Sequence, residues 1–517
     1  MMRSNRTTVF LRLTLLAAAS LAVLSACKTV GPDFEKPEAP VADNWLDAES
    51  ERVDTSTIAY QDWWDVFDDP ALSKLIDTAF QQNLSLQVAG LRVMEARAQL
   101  GIATGMKYPQ SQSISGGYAH SRSSTNAPPL ASLPDDVLAG VDRTSGVWSA
   151  GFDAAWEADI WGKFRRGVEA ADANLAASML NYDAVLVTLT GDVAALYTTV
   201  RTLEERLAYT RSNVKLQEHS LDLANTRFNL GATSELDVQQ ARGLLHNTQA
   251  LIPAMQLSLA RTQNTLSFLL GMPPSDLDYL LGGSGKIPDA PESAAVGVPA
   301  DLLRRRPDVR AAEMAAAAQS AVIGVSQADL YPSFVLAGSI GVAGVSFSDQ
   351  FDSGATTGFI TPFFKWNIFN YGRIKNNVRV QDARFEQAVT TYQNAALAAA
   401  REVQDGLQGF VLTQEQVGYL SSAVQASARA ADLALVQYRE GATDYTRVLN
   451  TQTSLLQQQD SLTSARGQVV GNLSATYKAL GGGWQLREGN NWVRPNVIDT
   501  MEQRTDWGEL LTTPEQP

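Results

Sequence analysis

The protein has 517 residues, enough for two to four ordinary domains or for one elongated fold. Acidic residues outnumber basic ones by 55 to 41, and the formal net charge of −14 argues against a nucleic-acid-binding protein, which needs a basic face. The single cysteine excludes a disulfide framework, a cysteine-ligated zinc and an iron–sulfur cluster. The three histidines show no metal-ligand spacing, so the sequence predicts no metal site.

The first 26 residues are predicted to be a secretory signal peptide. They contain three arginines, no acidic residue and an apolar run over residues 13–22, which is too short to span a bilayer. The run ends in Leu-Ser-Ala-Cys, which resembles a bacterial lipobox with Cys27 at the acylated position. Lys28, in place of an aspartate, resembles the sorting rule for the outer membrane. The sequence therefore predicts an exported lipoprotein; the alternative is a chance cysteine in an ordinary signal peptide.

The rest of the chain is an internal duplication. Phe-Asn-Leu-Gly-Ala-Thr at residues 228–233 recurs 210 positions later as Tyr-Arg-Glu-Gly-Ala-Thr at residues 438–443. Trp161-Gly162 and Tyr371-Gly372 match at the same shift. Self-similarity of this kind defines the organisation of a chain. The predicted segments are an N-terminal segment (27–82), repeat 1 (83–271), a linker (272–300), repeat 2 (301–481) and a C-terminal tail (482–517).

Each repeat is predicted to begin with a helix and a β-hairpin. A stretch rich in Ala, Leu and Gln ends at a Tyr-Pro pair, after which the apolar residues recur with a period of two. In repeat 1, Trp148, Phe152 and Trp156 alternate with residues that are mostly small or polar. We therefore expect hairpins at about 111–160 and about 333–370, each with one apolar face. A soluble sandwich is the alternative for these strands.

Two long helices are predicted after each hairpin. Residues 163–230 and 373–440 contain no proline, and at 1.5 Å per residue each would form a rod of roughly 100 Å. A Gly-Ala-Thr break then reverses the chain, which gives coiled-coil helices over 163–270 and 373–480. Pro253 should kink or split the first return helix. Without the hairpins, a solvated coiled coil would be the preferred interpretation.

The number of strands predicts how the hairpins are used. A closed transmembrane barrel needs at least eight strands and tolerates no free edge, whereas one chain supplies four. Closure therefore requires a symmetric oligomer. The predicted fold class is mainly α with a transmembrane β-barrel, built from a duplicated protomer with two strands and long helices per repeat.

Several motifs resemble those of one known family. They are Trp63-Trp64-x-x-Phe67-x-Asp69-Pro70, Trp156-Glu157-x-Asp159-Ile160-Trp161-Gly162, Arg304-Arg305-Arg306-Pro307-Asp308-Val309 and Phe369-x-x-Gly372-Arg373. From residue 27 to about 480 the chain is similar to the outer-membrane factor (TolC-like) family, and in particular to its NodT-type lipoproteins of RND efflux systems. The resemblance implies a homotrimer with a 12-stranded β-barrel and a long periplasmic α-barrel, inserted and lipid-anchored in the outer membrane. It also implies a mixed equatorial region around the middle of the α-barrel, to which the N-terminal segment (27–82), the linker (272–300) and the C-terminal tail (482–517) are assigned.

The resemblance also implies a function and a set of partners. The expected role is a passive exit duct for drugs and toxic small molecules, coupled to a periplasmic adaptor (membrane fusion) protein and an inner-membrane RND-type pump. It implies contact with outer-membrane lipid, no enzymatic activity and no cofactor other than the lipid on Cys27. Alternatives are a type I secretion channel, a periplasmic coiled-coil adaptor lipoprotein and a lipid-anchored hydrolase. A hydrolase needs a nucleophile and a base within reach, which three scattered histidines do not supply.

A gate is implied at the two Gly-Ala-Thr reversals. Asp237 and Tyr438 stand at positions that resemble the closing latch of the family, in which a carboxylate accepts a hydrogen bond from a tyrosine. The alternative is that Asp237 caps the return helix close to its start.

The sequence departs from the family pattern at other positions of this gate. Thr443 stands where an arginine adds a second latch, and Arg447 and Asn450 stand where acidic rings line the entrance. Asp444 is expected to supply part of the missing negative charge. These departures put the strength of closure and the cation preference of the entrance in doubt.

The lipobox generates the first prediction. Labelled palmitate fed to growing cells should be incorporated into the wild-type protein and not into Cys27→Ser, because an acyl chain at this site requires the single thiol of the chain. The measurement is label in the purified protein, normalised to its amount. Label that persists in Cys27→Ser would show that the lipobox interpretation is wrong.

Overall fold

The computed structural model describes residues 29–55, 60–282, 285–301 and 305–511. The predicted signal peptide, Cys27 and Arg304 lie outside these residues. The chain forms two compact units, each with segments from both repeats. The first contains residues up to Lys36, Ala96–Leu175 and Met314–Val389; the second contains Pro37–Glu95, Ala176–Glu313 and residues from Thr390 onward.

The described residues are mainly helical, and six strands accompany the helices. The helices are α1 (Pro70–Gln82), α2 (Leu84–Gly105), α3 (Asp135–Leu138), α4 (Lys163–Asn229), α5 (Glu235–Leu269), α6 (Asp278–Leu281), α7 (Pro307–Ala328), α8 (Arg373–Arg439), α9 (Tyr445–Ala479) and α10 (Pro495–Arg504). The strands are β1 (Val53–Asp54), β2 (Ser111–Arg122), β3 (Thr144–Ala158), β4 (Ala294–Ala295), β5 (Ser333–Gly344) and β6 (Thr356–Lys365). This composition confirms the predicted fold class as far as one chain shows it.

A four-stranded antiparallel sheet dominates the first unit, with the order β2-β3-β5-β6. Each predicted hairpin is present, and β3 pairs with β5 to join them, with Trp148 opposite Gly344 and Ala158 opposite Phe334. Every residue of the edge strands β2 and β6 is exposed. Within the described chain, the outer edges of β2 and β6 therefore carry backbone groups without a strand partner.

The long helices of the two repeats have equal lengths. Helices α4 and α8 each contain 67 residues, and α5 and α9 each contain 35. Pro253 lies inside α5 and does not split it, so that part of the expectation is wrong. One described helix, α4, contains a stretch apolar enough to cross a membrane, but most of that stretch is buried in the protein, as in a core helix.

In the second unit, side-chain hydrogen bonds join α4 to α9 at intervals of about two helical turns. Gln452, Gln459 and Arg466 of α9 contact Ser220, Asn213 and Glu205 of α4, with donor–acceptor distances of 2.7, 2.6 and 2.8 Å respectively. Arg206, which follows Glu205, forms an ion pair with Asp460 through two hydrogen bonds, at 2.7 and 3.1 Å. The two helices therefore pack as an antiparallel pair, with polar contacts every seven residues on α9 and every seven or eight residues on α4.

The aromatic and arginine motifs also pack in the second unit. Trp63 is buried and stacks on Tyr477 with ring centroids 5.7 Å apart. Asp69 caps α1 by accepting a hydrogen bond from the backbone N–H of Ala71 at 3.0 Å. Arg306 donates to the Ala479 carbonyl and to Glu402, both at 2.8 Å. These residues therefore stabilise the fold by packing and capping.

The tail beyond residue 482 is docked on the same unit. Arg487 forms a buried ion pair with Asp183 at 2.6 Å and lies over the ring of Trp492, 4.3 Å from its centroid. Helix α2 approaches this segment so closely that a β-carbon added to Gly90 would lie 1.9 Å from the Trp492 carbonyl oxygen. Glycine is therefore required at this crossing of two backbones.

Candidate functional site at the helix reversals

Both helix reversals use the same backbone motif. Gly231 and Gly441 have positive φ values of 70° and 79°, which favour glycine. In each turn the glycine N–H and the next N–H bond back to the last turn of the preceding helix, as in a Schellman motif. These bonds are Gly231 to Phe228 (2.9 Å), Ala232 to Arg227 (2.8 Å), Gly441 to Tyr438 (3.0 Å) and Ala442 to Gln437 (2.8 Å).

Residues from all four helix ends form one apolar cluster at the reversals. Tyr438 at the end of α8 and Tyr445 at the start of α9 are both buried, with rings edge to face at 5.3 Å and 77°. The cluster consists of Ala224, Val238, Ala241, Ala434, Tyr438, Tyr445 and Val448. Its three alanines let the helix backbones approach closely. This tight packing fixes the positions of the polar side chains at the edge of the cluster.

The structure brings the two predicted latch residues together. The Tyr438 hydroxyl donates a hydrogen bond to a carboxylate oxygen of Asp237, with 3.1 Å between the oxygens. The same carboxylate oxygen accepts a hydrogen bond from the Thr233 hydroxyl. Asp237 is only 8% exposed, so both bonds are shielded from water. Because Asp237 also lies in the first turn of α5, the positive end of the helix dipole favours its charge as well.

The tyrosine of this pair remains protonated at physiological pH. Burial raises the pKa of Tyr438 above its ordinary value of 10.0, the Thr233 hydrogen bond opposes this shift, and the negative charge of Asp237 adds to it. The neutral hydroxyl is the form that donates to Asp237. Its contribution to stability is therefore present below pH 10.0 and is lost as the pH rises through the raised pKa.

The other four predicted gate residues lie around this pair without joining it. Thr443 is half-buried, whereas Asp444, Arg447 and Asn450 are exposed. Asp444 caps α9 by accepting a hydrogen bond from the backbone N–H of Arg447 at 3.4 Å. Its carboxylate therefore serves the start of a helix, which is the role that the alternative interpretation assigned to Asp237.

Sequence reasoning missed Arg227, which links the two reversals. Its guanidinium donates to the carbonyl oxygens of Tyr438, of Arg439 at 2.9 Å and of Ala232 at 3.2 Å. It also lies over the Tyr438 ring, 4.8 Å from the ring centroid. A cation at the carbonyl end of α8 is favoured by the helix dipole. Arg227 therefore holds the backbone of Tyr438 while Asp237 holds its hydroxyl.

Arg227, Tyr438 and Asp237 differ from the residues at the corresponding positions of the other repeat. At the shift of 210, Arg227 corresponds to Gln437, Tyr438 to Phe228 and Asp237 to Arg447. The contact set joins Arg227 and Asp237 of repeat 1 to Tyr438 of repeat 2, and the corresponding residues cannot form the same set. Comparing the two repeats for charge and hydroxyl differences would have identified Arg227 from the sequence.

The described residues contain no cluster of His, Cys, Asp and Glu side chains that could hold a metal ion. The side chains of Tyr438, Asp237 and Thr233 are hydrogen-bonded to one another, and Asp444 caps a helix. The arrangement can hold helix ends together, and its contacts can be broken and re-formed without covalent chemistry.

Comparisons with known proteins agree with this fold. The family model described as outer membrane efflux protein matches residues 75–272 and 298–482. The solvent efflux pump outer membrane protein SrpC of Pseudomonas putida is 30% identical, over 91% of this chain and 98% of its own length. The probable outer membrane lipoprotein SilC of Salmonella typhimurium is 30% identical over 92% of this chain and 99% of its own. The outer-membrane channel OprN has a TM-score of 0.81 and 30% identity, covering 88% of this chain and 99% of that one.

A duplicated chain of two hairpins and two pairs of long helices, matched over most of its length, belongs to the outer membrane efflux protein family. Its place is the outer membrane, and its function is that of the outer-membrane channel of an efflux pump.

The latch generates a prediction about conductance. In planar bilayers, Asp237→Ala and Tyr438→Phe should each raise the conductance, because each removes a charge-assisted hydrogen bond that contributes about 1.5 to 3 kcal/mol. The double variant should add little to either single one, since both lose the same interaction. Arg227→Gln should act in the same direction by releasing the end of α8.

Glu235→Ala is the matched control, because it removes an exposed carboxylate two residues from Asp237 that bonds Gln239 and not Tyr438. It should leave the conductance near the wild-type value. Unchanged conductance in both Asp237→Ala and Tyr438→Phe, with the protein intact, would leave Asp237 as a helix cap and move the gate elsewhere.

Proposed function

We propose that the protein works as a homotrimer and forms the passive exit duct of a tripartite efflux system. The observation that carries this proposal is the pair of unpaired edges on the sheet of the first unit. Large apolar side chains are exposed on its edge strands, including Ile114 (85%), Ile360 (78%) and Phe364 (65%). An exposed apolar sheet with open edges fits a lipid-facing wall that is completed by other copies of the chain.

Three copies would complete such a wall. Each chain contributes the antiparallel order β2-β3-β5-β6, so an edge β6 can pair with β2 of the next copy in the same antiparallel sense. Twelve strands result from three copies, above the minimum of eight for a closed barrel. Every unsatisfied backbone group in lipid costs several kcal/mol, which favours closure strongly.

The partners follow from the kind of system. SrpC is named as the outer-membrane protein of a solvent efflux pump, which supports toxic small molecules as the exported class. The proposed partners are a periplasmic adaptor protein and an inner-membrane RND-type pump, with the latch at the reversals closing the periplasmic entrance until the adaptor engages. The energy and the choice of substrate belong to the pump, so the channel itself carries out no reaction.

A lipid anchor completes the proposal. SilC is named a probable outer membrane lipoprotein, which supports acylation of Cys27 here. A single lipidated end gives only reversible membrane attachment, so the closed barrel would supply the permanent insertion.

The open sheet edges predict the assembly state. Chemical crosslinking of the purified protein in detergent should yield species up to three chains and no larger discrete species, because the third copy closes the wall. A monomeric outer-membrane barrel in the same micelles gives the background of random crosslinks. A dominant monomer in this protein would contradict the trimeric barrel.

The proposed transport role predicts a cellular phenotype. Deleting the gene should raise intracellular accumulation of some members of a panel of toxic compounds, and a plasmid copy should restore the wild-type level, because the exit route is lost and regained. Accumulation is measured with radiolabelled or fluorescent compounds, and an empty plasmid is the control. Equal accumulation of every compound in the deleted and complemented strains would contradict an efflux role.

A further inference from the structure

The first described residues of the chain occupy a fitted groove in the first unit. We call residues 29–33 the N-terminal strap; they lie between the start of α4 and helix α7. The Val30 N–H donates to the Trp161 carbonyl oxygen at 3.0 Å. The strap crosses α7 so closely that a β-carbon added to Gly31 would lie 2.4 Å from the Gly324 α-carbon. The strap is therefore seated by backbone contact.

Arg166, in the first turn of α4, binds the strap through its guanidinium group. Its guanidinium donates to the Val30 and Gly31 carbonyl oxygens at 3.3 Å each, to Asp33 at 2.7 Å and to Glu169 at 2.7 Å. Three of these four acceptors come from the strap, and Arg166 is only 4% exposed. A buried guanidinium needs its donors satisfied, so the strap and Arg166 stabilise each other.

Two glycines, which have no side chain, make room for the strap in the rest of the groove. A β-carbon on Gly324 would lie 2.8 Å from the Val30 carbonyl oxygen, and one on Gly162 would lie 2.5 Å from the Thr29 methyl carbon. Real β-carbons do not approach backbone oxygen so closely, so an alanine at residue 324 would displace the strap.

The duplication shows that this groove is not a general property of the fold. At the shift of 210, Arg166 and Gly162 correspond to Asn376 and Gly372. The helices before the hairpins match at a shift of 223, as do the Tyr-Pro pairs at residues 108–109 and 331–332, so Gly324 corresponds to Gly101. A β-carbon on Gly101 would meet nothing within 4 Å, and one on Gly372 would meet only the Asn376 side chain, at 3.7 Å. The close fit is formed by Gly162 and Arg166 of repeat 1 with Gly324 of repeat 2, and it is not repeated at the corresponding positions.

We propose that this groove is a docking site for the lipid-bearing N-terminus, with Arg166 as its positioning residue. The proposal rests on the lipid anchor of the proposed function. A single residue, Lys28, separates Cys27 from the strap, so the acyl chains have little reach beyond the groove. Docking holds each anchor beside the strands of its own protomer.

Aromatic residues next to the groove fit a membrane surface. Trp161, whose carbonyl receives the strap, stacks on Tyr331 with ring centroids 4.6 Å apart and donates to the Pro332 carbonyl oxygen at 2.8 Å. Tryptophan and tyrosine with one polar end satisfied are typical of the interface between lipid and water. The acyl chains would therefore enter the membrane where the strands leave it.

Docking would speed insertion of the barrel, because it fixes the lipid anchor close to the strands that must enter the membrane. An anchor on a free tether samples a large area of membrane, whereas an anchor fixed beside β2, β3 and β5 keeps those strands at the bilayer while the barrel closes. The expected consequence of losing the strap site is slower or less complete insertion, with acylation itself unchanged.

Gly324→Ala and Gly101→Ala form a matched pair for the test. Both replace a helical glycine at duplicated positions, and alanine favours a helix in general, so a loss confined to Gly324→Ala reports on the groove. Arg166→Gln tests the positioning residue independently of the crossing. For each full-length protein we would measure palmitate label, the amount of channel in the outer-membrane fraction, and amide hydrogen exchange of peptides that cover the strap.

We expect all three variants to take up palmitate like the wild type. Gly324→Ala and Arg166→Gln should exchange the strap amides about tenfold faster or more and should lower the channel content of the outer membrane. Gly101→Ala should match the wild type in both readouts. Wild-type exchange in Gly324→Ala, or faster exchange with an unchanged amount of inserted channel, would overturn the proposal.

Cys27→Ser separates this proposal from the one on which it rests. Protein contacts hold the strap, so exchange of its amides in Cys27→Ser should stay at the wild-type rate. Exchange as fast as in Gly324→Ala would show that the lipid holds the segment and would overturn the docking site. Absence of palmitate from the wild type would instead overturn the lipid anchor and, with it, the positioning role of Arg166.

Discussion

The hydrogen-bond requirement of the sheet edges is the constraint on which the molecule depends. A four-stranded sheet with exposed apolar side chains is suited to lipid, yet lipid cannot satisfy the N–H and C=O groups along β2 and β6. One chain cannot close four strands on themselves. The proposed trimer would pair these edges between copies and so satisfy their backbone groups.

Duplication supplies the scaffold, and departures from it supply the specific sites. The two repeats share the lengths of their long helices and the backbone motif of their reversals. Arg227, Asp237 and Tyr438 contact one another, yet their counterparts Gln437, Arg447 and Phe228 cannot form the same set of bonds. The strap groove likewise combines Arg166 with Gly324, for which the corresponding pair is Asn376 and Gly101. Both sites thus combine residues of the two repeats whose counterparts cannot form the same contacts.

The elements were predictable because their signals are local. Period-two alternation and proline-free stretches identified the hairpins and the long helices to within a few residues, and the Gly-Ala-Thr breaks located the reversals. Pro253 misled because a proline removes only one hydrogen bond of a helix, and the remaining bonds of the 35-residue helix α5 continue on both sides of it. Arg227 and Arg166 act on backbone carbonyls distant in sequence, and a carbonyl acceptor carries no residue signature. The Asp237–Tyr438 contact was foreseen only through resemblance to a family.

The regular spacing of the polar contacts between α4 and α9 limits how these helices can move. Ser220, Asn213 and Glu205 face Gln452, Gln459 and Arg466 in a single register. An axial slip of one residue, about 1.5 Å, would lengthen all three contacts at once. The three contacts together therefore oppose sliding of one helix along the other, whereas they allow the two helices to tilt or pivot as one body.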